Sequence, residues 1–435
     1  MFDYDPGFEM HNWCKELFPL NRSLTGDGTL DTLKYFKKLL TDFEIKSFTS
    51  GEAVFDWTIP KVWNVKSAHI QDRDGNKLID FKNSNLHLVG YSTSVDQILS
   101  KSELLKHIYF IESKPLAIPY VTSYYKENWG FCLSKLQWES IGPGPFRVLI
   151  DSSLEDGKLN YGEIFIPGKS RQEILLSTYI CHPSLANDNL SGPVVLTKLL
   201  QQILKIPERH YSYRAVFLPE TIGSLAFLSR NLEHLKNSVV AGWVLTCLGD
   251  EGQFSYIPSR SGLTYADKVT LKLLETRNVD FQRYSWLDRG SDERQYCWPG
   301  IDLPVCSITK SKYGEFPEYH NSLDNLEFVT PLGLSQSLNF YSEIVRILEE
   351  NRTPRAATQG EPQLSRRGLY PTTSNLHVPA VPQPEQLASS RDIINILSYL
   401  DGQHNLSEIS TKCNLNPLLV ESVVNNLEAL GLVKS

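Results

Sequence analysis

From residue 146 to residue 350, short apolar runs alternate with helix-length amphipathic stretches, and few architectures accommodate such a rhythm. Ile164-Phe165-Ile166 precedes the run 174–180, which is apolar almost throughout, as a strand buried on both faces requires. Residues 192–206 carry a helical period, 213–218 read as a strand and 224–235 as a helix. Strand 241–248, helix 264–276, strand 305–309 and a long helix over 331–350 continue the series. The alternation predicts an α/β sandwich with a mainly parallel mixed sheet between helical layers.

The flanking segments have a different texture. Residues 8–42 predict two helices joined by a loop at 21–28, with Thr29 or Asp31 as cap of the second and Leu33, Phe36, Leu39 and Leu40 as its apolar face. Residues 51–127 read as a small, mostly β unit inserted into the larger domain. In it, 54–60 alternates like a strand, 67–81 is a hairpin turning at Asp74-Gly75, and 86–90 is another short strand. The larger domain is expected to comprise 1–50 and 128–355. Residues 356–384, rich in Pro, Gly, Ser and Thr, are expected to be a linker. Three helical segments over 390–400, 405–413 and 416–430 give 385–435 the size of a winged-helix unit. Its expected core is Ile393, Ile396, Leu397, Leu400, Ile409, Val423, Val424, Leu427 and Leu430.

Composition narrows the function classes. With 41% hydrophobic and 21% charged residues the chain is an ordinary globular one, and its net charge of −7 offers no attraction to nucleic acid or anionic lipid. Between Glu385 and Ser435 three basic residues face six acidic ones. DNA binding is therefore not expected of the C-terminal unit. Packing on the larger domain or on a second subunit, which would make a homo-oligomer, is expected instead. The seven cysteines form no CxxC pair and suit buried thiols in a reducing compartment. The acidic N-terminus lacks a leader pattern, and no apolar run reaches transmembrane length, so a cytoplasmic protein without a membrane partner is expected.

Chemistry concentrates where strands end. His182 follows the apolar run directly, and Asp188 lies six residues on, just before the helix that Ser191-Gly192 opens. His320 stands in a loop beyond strand 305–309, and Glu220 follows strand 213–218. Open α/β sheets bind ligands at the carboxyl ends of their strands. Two imidazoles and a carboxylate meeting there make a metal site about as probable as a set of loop and capping residues.

The motif Ala186-Asn187-Asp188-Asn189-Leu190-Ser191-Gly192 resembles the bridging-aspartate motif of zinc aminopeptidases, and Tyr319-His320-Asn321-Ser322-Leu323-Asp324 resembles their last-ligand motif. Pro219–Ser224 and Ser291–Pro304 resemble their Glu-Glu and Ser-Asp-His segments, in the same order. Over nearly its full length the chain is similar to a bacterial aminopeptidase-like family with an inserted β domain and a C-terminal winged helix. That family is commonly labelled polysaccharide-biosynthesis proteins. Two ligands of the dinuclear enzymes are absent: Thr221 replaces one, and Thr246 or Cys247 the other. The resemblance thus implies one Zn2+ per chain, held by His182, Asp188 and His320, with Glu220 as general base. It implies a hydrolase cleaving a small amide or peptide substrate. Asp292 and Glu293 are expected to receive an α-ammonium group or to form a surface ion-pair cluster. Arg289 or Arg294 is expected to hold a carboxylate, and Tyr319 to touch substrate. A deacylase acting on an amino-sugar or polysaccharide intermediate, and a non-catalytic metal scaffold, are the competing readings.

Overall fold

The computed structural model describes residues 5–277, 280–350, 353–369, 388–402 and 404–434. It contains a mixed α/β core with a mainly parallel sheet. The sheet strands are β1 Glu44–Thr49, β2 Lys158–Ile166, β3 Glu173–Tyr179, β4 Ser212–Leu218, β5 Val239–Val244, β6 Phe254–Ile257, β7 Phe281–Arg283 and β8 Val305–Thr309. Their spatial order is β1-β2-β4-β3-β5-β8-β6-β7. The central β4-β3-β5-β8 block is parallel, while β1, β2 and β6 join antiparallel neighbours. Every residue of β3 is buried, as its continuous apolar run requires. From β3 the chain moves to β4 on one side and later to β5 on the other. The loop after β3 therefore lies at the point where the winding reverses, the position at which such sheets bind ligands.

The longer helices are α1 Pro6–Leu17, α2 Asp27–Leu39, α3 Gly192–Ile203, α4 Ile222–Ser238, α5 Tyr265–Thr276, α6 Pro331–Glu350, α7 Ser390–Ser398, α8 Leu406–Cys413 and α9 Pro417–Ala429. Leu175 and Tyr179 share a hydrophobic cluster with Ile222, Phe227 and Leu235 of α4. The cap expected for α2 is not used. Gly26 precedes the helix without a side-chain cap, and Thr29 Oγ1 donates instead to Ser23 O at 2.6 Å.

The small β region differs from expectation in three ways. Residues 53–58 form a tight hairpin rather than one strand, because the chain turns at Phe55 with φ 52°. Residues 85–87 form a short 3-10 turn where a strand was expected. The strand at the middle of the four-stranded sheet, Phe146–Glu155, lies outside 51–127 and pairs with both Val62–Gln71 and Val95–Leu99. The hairpin over 67–81 is present, with Val62–Gln71 paired to Lys77–Asp80.

A second compact unit includes residues 344–435. In it α7, α8 and α9 precede a short strand Val433–Lys434, which pairs with Arg355–Ala356. The expected core residues are buried except Leu430, which is 39% exposed. Leu364 and Leu369, expected in a linker, belong to this core. Residues 370–384 of that expected linker lie outside the described residues. No helix among the described residues is long and apolar enough to cross a membrane.

One ionic cluster crosses the sheet. Arg214 on β4 pairs with Glu173 Oε2 at 2.7 Å and with Glu163, while Lys46 reaches Glu163 Oε2 at 2.8 Å and His234 reaches Glu173 Oε1 at 2.6 Å. Burial works against the charge on Glu173, yet Arg214 and His234 hold its carboxyl below its usual value. Stability drawn from a depressed carboxyl is present above the unfolded pKa, about 4.3, and is lost as pH falls through the folded value. Arg214→Leu is expected to cost about 3–5 kcal/mol, since it removes the cation that two buried carboxylates share. Urea denaturation at pH 7 should show that loss, and repeating it below about pH 4.3 should narrow the gap to wild type.

Candidate metal centre

The loop from Cys181 to Gly192 owes its shape to its own polar side chains. Asn187 Oδ1 accepts from Gly249 N at 2.8 Å and its Nδ2 donates to Asp250 Oδ2 at 2.9 Å. Asn189 Nδ2 donates to Tyr179 O at 3.1 Å, and its Oδ1 accepts from Gly192 N at 2.9 Å. Ser191 Oγ donates to Asn187 O and accepts from Leu248 N, at 2.7 and 2.8 Å. Gly192 is required because a Cβ there would lie 2.2 Å from Leu245 O. Much of the 186–192 motif therefore has a structural reason independent of any ligand.

Asp188 is left to face the site. Its backbone N donates to Asp324 Oδ2 at 2.9 Å, while Asn187 N donates to Asp324 Oδ1 at 2.6 Å. Tyr179 Oη donates to Asp188 Oδ1 and is itself 2.7 Å from Thr246 Oγ1. The other oxygen, Asp188 Oδ2, is 2.9 Å from His320 Nε2 and 4.0 Å from His182 Nε2. One ligand atom from each of the three residues lies within 4.8 Å of the others. Asp188 Oδ2 and His320 Nε2 are buried atoms without a well-formed hydrogen bond, despite their separation. Close approach without mutual alignment is what atoms aimed at a common third centre show. Two imidazole nitrogens and one carboxylate oxygen are a donor set suited to zinc.

Electrostatics prepares the ligands. Burial lowers the His182 pKa to about 4, which keeps the imidazole neutral and its Nε2 lone pair free at neutral pH. Burial opposes ionisation of Asp188, but His182, His320 and Tyr179 hold its carboxyl down at about 2. Glu220 Oε2 lies 3.9 Å from His182 Nε2, with 21% of its side chain exposed. Burial and the carboxylates of Asp292 and Asp188 push Glu220 well above the usual carboxylate range. A cation at the centre would oppose that shift.

The other expected contacts fall differently. Glu293 is completely buried, and its Oε1 accepts from Gly290 N, Ser291 N and Tyr313 Oη at 2.9, 3.0 and 2.6 Å. Asp292 is also completely buried, and Oδ1 accepts from Thr221 N at 2.8 Å and Ser224 Oγ at 2.9 Å. Neither lies in a surface ion-pair cluster. Asp292 instead holds the backbone next to Glu220, where Thr221 has φ 63°. Arg289 lies 4.7 Å over the Trp286 ring and donates to Trp286 O at 3.3 Å, with no hydrogen bond to the metal-site residues among those described. Arg294 does reach the site, donating to Thr221 Oγ1 at 2.5 Å. Tyr319 stacks on the His320 ring at 3.8 Å and 12°, fixing the plane of that imidazole.

Several residues here carried no signal in the sequence. Cys181 Sγ accepts from Glu220 N at 3.2 Å and lies 3.6 Å from His182 Nδ1, so one thiol borders both the candidate base and a candidate ligand. Tyr120 comes from the small β region. Its ring is 5.2 Å from that of His182 and 5.1 Å from that of His320, and its N donates to His320 O at 2.8 Å. Asp324 was visible as the last position of the 319–324 motif, although its role was not.

A family profile described as a domain of unknown function, DUF4910, matches residues 11–351. A second, described as a winged helix-turn-helix, matches residues 352–435. A curated protein of Clostridium acetobutylicum, named for polysaccharide biosynthesis with an aminopeptidase-like domain, is 44% identical over 84% of this chain and 84% of its own. A crystal structure from the same organism, described as a peptidase, superposes with TM-score 0.82 and 39% identity over 98% of this chain and 96% of that one. A zinc aminopeptidase from Bacillus subtilis superposes with TM-score 0.55 and 12% identity, over 79% and 94% of the two chains, which shows a shared fold. The fold is therefore aminopeptidase-like, and the family read from the motifs is the one the relatives carry in name.

Asp324→Ala would orphan the buried N–H groups of Asn187 and Asp188. At about 1–3 kcal/mol each, thermal or urea unfolding should show a loss of about 2–6 kcal/mol.

Proposed function

The chain belongs to the DUF4910 family, and from that premise we propose that it is a zinc-dependent hydrolase of aminopeptidase type. One observation carries the reading: the unbonded atoms Asp188 Oδ2 and His320 Nε2 converge with a His182 nitrogen, and Glu220 stands beside them. His182, Asp188 and His320 would hold one zinc ion. That ion would supply Lewis acidity to a water and to an amide carbonyl.

The protein's own groups do the rest. Glu220 takes a proton from the water that attacks the carbonyl carbon, and returns it to the departing amine nitrogen as the C–N bond breaks. Asp292 holds the backbone beside Glu220, so the carboxylate is positioned from behind. Tyr179, Asp324 and Tyr319 fix the orientation of Asp188 and His320, which limits reorganisation during reaction. The substrate is a small amide or peptide. The name of the curated relative supports a second reading, in which the amide is the acyl group of an amino sugar or polysaccharide intermediate. For the C-terminal unit, packing or subunit contact is proposed in place of DNA binding, on its excess of acidic residues.

Elemental analysis should find about one zinc per chain, and Ala at His182, Asp188 or His320 should abolish tight binding. Glu220→Gln should retain the metal and lose about 10²–10⁴-fold in turnover. Loss of zinc from that variant would make Glu220 a ligand instead. Anisotropy titration with duplex DNA should show no salt-sensitive affinity, whereas tight binding that weakens steeply with salt would overturn the packing role.

A further inference from the structure

The segment at 21–28, legible in the sequence only as a loop, buries a charge next to the metal centre. Arg22 is completely buried. Its Nε donates to His182 O at 2.9 Å and its Nη1 donates to Leu17 O. Its Nη2 has no partner. Among the described residues no carboxylate lies within ion-pair distance of it. A guanidinium stays charged at neutral pH. A buried cation without a counter-charge is costly and calls for an anion.

Arg22 lines a cavity together with Asn85, Tyr120, Thr122, Tyr124 and Pro183. Two further buried atoms around it lack a well-formed hydrogen bond: Asn85 Oδ1 and Thr122 Oγ1, the latter close to the Tyr124 hydroxyl. Tyr120 Oη and Tyr124 Oη are 2.9 Å apart. The free space is about 10 Å³, room for roughly one oxygen atom. Whatever enters must be a terminal group. Tyr120 and Arg22 both touch the metal-ligand loops, so the cavity adjoins the reacting centre.

We propose that this cavity is a substrate subsite for a free carboxylate next to the scissile amide, as in a dipeptide or an N-acyl amino acid. One carboxylate oxygen accepts from Arg22 Nη2 and the Thr122 hydroxyl. A water would fill the space and bond the same atoms, yet it would leave the guanidinium charge uncompensated. The proposal depends on the hydrolase reading only for the bond that is cut, not for the presence of a carboxylate.

The test titrates the full-length protein calorimetrically with N-acetylglycine and N-acetylglycinamide, which differ in the carboxylate. N-acetylglycine should bind at least about tenfold more tightly, the scale of one charge-assisted hydrogen bond. Arg22→Met and Thr122→Val should each remove most of that difference. Thr122→Val removes only one hydroxyl and keeps the test open if Arg22→Met fails to fold. Equal binding of the two probes, no binding of N-acetylglycine at millimolar concentration, or a preference that survives both substitutions overturns the subsite. Hydrolysis of leucylglycine and leucylglycinamide is then compared. A carboxylate preference in binding without cleavage of any amide would sink the hydrolase reading and leave the subsite standing.

Discussion

The candidate site depends on the carboxylate of Asp324. It accepts the backbone N–H groups of Asn187 and Asp188, while the Asp324 backbone carbonyl accepts from Ala186 N at 3.0 Å. The loop after β3 and the loop after β8, which supply all three metal-binding candidates, are thereby tied into one unit. Burial pushes the Asp324 carboxyl up to about 8 although the N–H groups of Asn187 and Asp188 donate to it. With that tie in place, Tyr179 can engage one oxygen of Asp188 and leave the other free. Backbone strain gathers around the same point. Thr221, Cys247 and His320 all have φ between 50° and 63°, a region that costs non-glycine residues about 1–3 kcal/mol each. The hydrogen bonds of Asp292 to Thr221 and of Tyr120 to the His320 loop help hold those conformations.

What was legible in the sequence follows from which signals are local. The run at 174–180 announced a doubly buried strand, and the helices over 192–203 and 331–350 announced themselves by period. His182, Asp188, His320 and Glu220 could be placed together because each lies just past a strand end, and the sheet brings strand ends to one edge. The hairpin at 53–58 was missed because its turn uses Phe55, not a residue that favours positive φ. The strand at 146–155 was assigned outside the small β region because pairing over some eighty residues leaves no local trace. Asp292 and Glu293 read as an ammonium-binding pair or a surface ion-pair cluster, and nothing local announced that both are buried. Their burial draws on donors from Thr221, Ser224 and Tyr313, distant in sequence, which bond Asp292 Oδ1 and Glu293 Oε1.

The two substituted ligand positions have found other work. Thr221 Oγ1 accepts from Arg294, and Thr246 Oγ1 bonds the Tyr179 hydroxyl that steadies Asp188. Cys247 is buried, and its thiol is pushed well up by burial, so it is poorly suited to bind a metal as thiolate. Neutral side chains thus stand at both of these positions. The small β region enters the site as well, since Pro119 pairs with Asn321 and Ile118 N donates to Ser322 Oγ at 2.9 Å. The segment 118–120 thus borders the candidate site.

The central claim is one metal at a site built from three side chains. A crystal of the zinc-soaked protein, with diffraction recorded on both sides of the zinc absorption edge, tests it most directly. The account predicts a single anomalous peak bonded to His182, Asp188 Oδ2 and His320 Nε2, at roughly 2.0–2.2 Å from each. Two peaks bridged by Asp188, or a peak that leaves out His182 or His320, would contradict it.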